Sequence, residues 1–265
     1  MEWYIAYLLL GAFVGFFAGL FGIGGGLVLV PVLSFMFDAQ HLTAQHNLHL
    51  ALGTSMASIL FTAFSSARAH HHHGAVNLAI VRTITPGILL GTALGALIAS
   101  RVSPFYLTVF FAMFVYFSAT QMLLNLKPSP ASQLPGRFGM TLAGAGIGAI
   151  SSLASVGGGV ISVPFMLRHN VPLRNAIGTS AAIGLPIAIG GSIGYVVTGL
   201  SQNALPQYSL GFVYLPALLI LAIGTSTTTS LGAKAAHRLP LKHLRRGFAL
   251  LLFVLATKML WKVIG

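Results

Sequence analysis

The chain has no cysteine and only two acidic residues, Glu2 and Asp38, among 265. Without cysteine there is no disulfide, no thiolate metal site and no cysteine nucleophile. No carboxylate falls inside a clear apolar run, so the usual intramembrane proton relay and cation ligand are missing. A cation pump built on such groups is disfavoured. Charge of either sign is scarce, at 6% of residues, against roughly 25% in soluble domains. Such a chain has too little polar surface to cover itself in water.

What it does have is apolar sequence, 56% of residues with a mean hydropathy of +0.89. Runs on the scale of a bilayer crossing recur at 3–36, 48–67, 78–100, 104–125, 138–167, 175–199, 210–236 and 246–264. They predict an all-α polytopic membrane protein of about eight hydrophobic segments. The first run has no basic segment before it and reads straight into glycine-rich sequence, so it is expected to stay in the mature protein. The formal net charge of +12 lies in loops between runs, as the positive-inside rule expects. No basic stripe with interleaved aromatics points to nucleic acid.

Two runs are internally broken. Five of the eight residues from Gly19 to Gly26 are glycine, each roughly 1 kcal/mol worse than alanine in a helix interior. An unbroken helix through Gly24, Gly25 and Gly26 is not expected. Unwound backbone at membrane depth is tolerated only where it is buried in protein or lines a watery cavity. The break is therefore a candidate binding site, the alternative being close helix packing through small residues.

The chain also matches itself. An offset of 133 lays Gly11, Gly15, Gly24 to Gly26, Val30 and Pro31 over Gly144, Gly148, Gly157 to Gly159, Val163 and Pro164. With an offset of 125, Gly53-Thr54-Ser55 falls on Gly178-Thr179-Ser180, and an offset of 137 aligns 94–96 and Arg101 with 231–233 and Arg238. The reading is a duplication: repeat one at 1–126, a linker at 127–137 and repeat two at 138–265.

Charge decides how the repeats face. If every run crosses once, eight of the 14 Lys and Arg lie inside; if each broken run is a hairpin returning to its own side, eleven do. The positive-inside rule favours the hairpin. Each repeat is then a glycine-broken re-entrant hairpin plus three transmembrane helices, an odd number of crossings. That predicts two inverted repeats whose breaks approach each other from opposite faces, with both termini periplasmic.

A helix that begins just after such a break offers free N–H groups and a favourable dipole to an anion. Gly24, Gly25, Gly26, Gly157, Gly158 and Gly159 are the expected backbone ligands. Thr54, Ser55, Thr179 and Ser180 are the expected hydroxyl donors, although such hydroxyls also serve their own helix carbonyls. The run His70-His71-His72-His73 reads as a polar interfacial loop, with adventitious metal binding as its other use. His41, His46, His49, His169, His237 and His243 fall in or beside loops or near span ends, and nothing selects one as a proton sensor.

The doubled motif, Gly11 to Pro31 and Gly144 to Pro164, with the paired Gly-Thr-Ser elements and the stretch Leu231 to Pro240, resembles the TauE/SafE, sulfite exporter-like family of bacterial membrane permeases over essentially the whole chain. The second copy departs where Ser152 and Ser155 stand in place of Gly19 and Gly22. The resemblance implies a multi-pass inner-membrane transporter that exports sulfite, a sulfonate or another small sulfur-containing anion. Its partners would be that anion and the lipid bilayer, with a homodimer compatible; no cofactor, bound metal or catalytic residue is expected. Competing readings are a divalent metal cation transporter using His70 to His73, and a non-transporting scaffold or accessory subunit.

Overall fold

A computed structural model describes residues 2–22, 24–43, 45–124, 131–203, 205–235 and 241–264. The described chain is helical: α1 (Glu2–Phe21), α2 (Gly26–Ala39), α3 (Asn47–His72), α4 (Leu78–Arg101), α5 (Pro104–Leu124), α6 (Arg137–Leu153), α7 (Gly159–Arg168), α8 (Leu173–Leu200), α9 (Leu215–Ala235) and α10 (Leu241–Ile264). Six of them, α1, α3, α4, α5, α8 and α9, are long and apolar enough to cross a membrane. Their outward faces carry large apolar side chains such as Leu9, Leu90, Met113, Ile193 and Leu219, the surface expected against lipid. This is an all-α polytopic membrane protein. Residues 125–130 and 236–240, which hold part of the expected linker and of the stretch Leu231 to Pro240, lie outside the described residues.

Two readings are corrected. The expected helix at 210–236 starts at Leu215, because Ser209–Leu210 and Val213–Tyr214 first pair as an antiparallel hairpin, β1 and β2, about Gly211 with φ of +55°. His70, His71 and His72 form the last turn of α3 and not a loop; the helix stops only before Gly74, whose φ of +64° favours glycine. Asp38 is likewise in the last turn of α2, where it accepts from Asn47 Nδ2 and pairs with Lys262 Nζ of α10. A carboxylate near the end of a helix is kept there by these two partners.

Both glycine-rich breaks reverse the chain. Gln40, just beyond α2, donates to the Tyr7 hydroxyl near the start of α1 (2.6 Å), and the Tyr7 and Phe37 rings lie 6.5 Å apart. The return limb thus ends beside the entry limb. In the second case Ala131 N, ahead of α6, donates to the carbonyl of Arg168 at the end of α7 (2.9 Å).

Between the hairpins, α3 and α8 run antiparallel. Arg174 in the first turn of α8 donates to the His73 carbonyl (2.6 Å) just past α3. At the other end Gly53 of α3 and Gly199 of α8 both abut Phe212, whose N–H donates to Tyr195 O (3.1 Å).

Contacts come in reciprocal pairs. Along α1, Gly11 and Gly15 press on the backbone of Leu221 and Thr225 of α9; along α6, Gly144 and Gly148 press on Ile84 and Ile88 of α4. The same offsets, 133 and 137, relate the two seams. A Cβ on Gly15 would stand 2.6 Å from Thr225 Cα, so Gly15→Leu must push α1 off α9. It is expected to cost about 1–3 kcal/mol, read as a lower thermal midpoint of the purified protein.

Candidate functional site

The two breaks meet. A Cβ on Gly24 would lie 2.8 Å from Gly157 Cα, and one on Gly26 would overlap the Ser155 carbonyl. Gly22, Gly24 and Gly25 all have φ between +69° and +77°, which reverses the chain after α1. In the second break Ser155 takes the corresponding left-handed turn at φ +46°, held by its own hydroxyl donating to Leu52 O (2.9 Å). That side-chain bond supports a backbone conformation that otherwise favours glycine. Hydroxyl replaces glycine here because the turn has a carbonyl of α3 within reach.

Against this contact lies a cavity of about 20 Å³, lined by Ala18, Gly22 and Gly24 of the first hairpin, Gly157 and Gly158 of the second, and residues of α3 and α8. Ile59 and Gly184 place it midway along α3 and α8. Its polar side chains are Thr62, Ser66 and Ser180, and no carboxylate faces it. The helices α2 and α7 both start at this level, from Gly26 and Gly159, so their first N–H groups and positive dipole ends gather around one buried place. A neutral wall of small residues with three hydroxyls and no acid is compatible with an anion.

Of the ten expected site residues, Gly24, Gly157, Gly158 and Ser180 are on the cavity wall. Gly25, Gly26 and Gly159 are buried in the breaks behind it, and Ser55 is buried with its hydroxyl unpartnered. Thr54 and Thr179 are engaged elsewhere: Thr54 Oγ1 accepts from Tyr214 N and Thr179 Oγ1 accepts from Asn77 N, each at 2.9 Å. Each threonine thus ties down the chain entering a helix beyond its own half, α9 or α4. Thr54→Val leaves the Tyr214 N–H without its acceptor, an expected loss of about 1–3 kcal/mol in thermal or denaturant stability; Thr179→Val should lose a similar amount at Asn77.

Thr62 and Ser66 escaped the sequence reading because they have no hydroxyl counterparts in the second half, where Ile187 and Gly191 stand. A helical count would have found them, since Ser55, Thr62 and Ser66 recur at intervals of seven and four along one face. No histidine lines the cavity. His49 is buried against Phe212, with ring centroids 5.1 Å apart and its Nε2 2.9 Å from Ala99 O. Among the described residues no group of three His, Cys, Asp or Glu is placed to hold a metal ion.

Known proteins agree with this picture of an apolar, multi-helix chain. A "Probable membrane transporter protein" of Haemophilus influenzae is 38% identical over 258 residues, covering 96% of this chain and 97% of the relative. A protein of the same description from Methanocaldococcus jannaschii is 28% identical, covering 96% and 94%. One from Bacillus subtilis is 26% identical, covering 86% and 88%. No solved structure matches the chain. The sequence model described as "Sulfite exporter TauE/SafE" matches residues 7–259. With that match over nearly its whole length, the chain belongs to the TauE/SafE family of membrane transporters.

Proposed function

We propose that this transporter exports a small sulfur-containing anion, such as sulfite or an organosulfonate, across the bacterial inner membrane. The substrate would sit between the two glycine breaks, and access would alternate as one half rocks against the other. The observation that carries this reading is the contact of Gly24 with Gly157 beside a buried, acid-free cavity lined by hydroxyls and glycine backbone. Gly24, Gly157, Gly158 and Ser180 are proposed to face the anion directly. Gly25, Gly26 and Gly159 shape the breaks, Ser55 is proposed as a further hydroxyl donor from α3, and Thr54 and Thr179 hold the segments around them.

The halves are proposed to be inverted repeats, bounded as the offsets suggest. Three observations support this: each hairpin returns to its own side, the equivalent helices α3 and α8 are antiparallel, and contacts are reciprocal. A two-fold axis lying in the membrane plane accounts for all three. At one end of the molecule stand Arg68, Arg82, Arg168 and Arg174, while the end that holds Asp38 and Lys262 carries few cations. By the positive-inside rule the arginine-rich end is cytoplasmic and both termini are periplasmic.

A cavity of about 20 Å³ has room for about one water, too little for a four-atom oxyanion such as sulfite. The cavity as it stands is therefore too tight for the substrate, and substrate entry requires the hairpin tips to part. The test is sulfite efflux from proteoliposomes holding the purified protein. Efflux well above that of empty liposomes is expected; zinc or nickel flux in place of sulfite flux would favour the metal reading, and no flux of either kind the scaffold.

A further inference from the structure

The cavity has a counterpart place on the periplasmic side of the breaks, and the two are not alike. Under the offset of 125, Ser66 corresponds to Gly191 and Ala181 to Met56. On the cavity side, Ser66 and Ala181 border open space. On the other, Met56 lies over Gly191, with its Cγ, Sδ and Cε 2.8 to 3.0 Å from where a Gly191 Cβ would stand. Alanine for methionine leaves room; serine for glycine places a hydroxyl beside that room.

That hydroxyl is unsatisfied. Thr62 Oγ1 donates to Ile59 O (3.1 Å), and Ser180 Oγ lies 2.9 Å from Ser162 Oγ. Ser66 is 7% exposed, and its Oγ has no hydrogen-bond partner. Several serine hydroxyls among the described residues are buried without a partner, and Ser66 is the one of them that lines the cavity. A hydroxyl with spare donor capacity matches an unprotonated oxyanion, which only accepts.

We propose that Ser66 is a substrate-binding residue, donating to an oxygen of the sulfur oxyanion, and that Ala181 keeps the space it occupies. This rests on the reading of the cavity as the anion site. It makes the site one-sided: the extra hydroxyl faces the arginine-rich end, and Met56 on Gly191 fills the opposite place.

The test is calorimetric titration of the purified, detergent-solubilised protein with sulfite. Ser66→Ala is expected to weaken binding about tenfold, as for a lost hydrogen bond to a charged group, and Ser66→Thr to recover most of the affinity. Ala181→Met, which copies the Met56 arrangement into the cavity, should abolish binding. Ser192→Ala removes another buried, unpartnered hydroxyl that does not line the cavity, and should bind as the wild type does. Wild-type affinity in a folded Ser66→Ala or Ala181→Met protein overturns the proposal while leaving the anion site standing. Absence of oxyanion binding by the wild type overturns both.

Discussion

Gly26→Ala is expected to leave no folded transporter. The added Cβ would overlap the Ser155 carbonyl, a backbone atom of the opposite hairpin that no rotamer change can move aside. Gly26 is buried, and Ser155 is itself fixed by its bond to Leu52 O. Relief would require the two tips to separate and lose their mutual packing, a loss of more than about 4 kcal/mol. Gly136→Ala makes the control, because nothing lies within 4 Å of a Cβ at Gly136 and its φ is −60°. Yield and monodispersity in detergent should collapse for the first variant and match the wild type for the second.

Gly158→Leu should behave in the opposite way, keeping the fold and losing transport. Gly158 has an ordinary φ of −54°, and a Cβ there would stand 3.1 Å from Ser180 O and 3.3 Å from Ser162 Oγ. Alanine needs only a shift of a few tenths of an ångström. Leucine carries three more carbons toward a cavity of about 20 Å³, enough to fill the room for a substrate oxygen. Sulfite efflux is expected to fall by about a hundredfold or more, the scale of a blocked site, with Gly158→Ala retaining most of it. Unchanged efflux in folded Gly158→Leu protein would move the substrate path away from the breaks.

The contrast between these two glycines marks what a sequence can convey. Both breaks, and their pairing through a fixed offset, are legible because glycine at three successive positions has a direct backbone meaning. The hairpin reversal follows from the distribution of cations, since charges obey the membrane's asymmetry even when the contacts are unknown. What escaped depends on distant partners. Thr54 reads as a site donor until Tyr214, 160 residues away, is found at its oxygen. Gly26 and Gly158 occupy similar places in their motifs, yet one meets a backbone carbonyl and the other borders a cavity. Ser66 and Thr62 have no hydroxyl counterparts at Gly191 and Ile187, so a pattern of repeated features does not single them out. The run from His70 to His72 reads as a loop from its polarity, but α3 continues through it, its last turn exposed enough to carry polar side chains.

The two breaks are proposed to make one shared site, which fixes the binding stoichiometry. Titration of the purified wild-type protein with sulfite should saturate at one anion per chain and give no binding in the Gly158→Leu variant. Saturation at two anions per chain, or wild-type binding in folded Gly158→Leu, would contradict it.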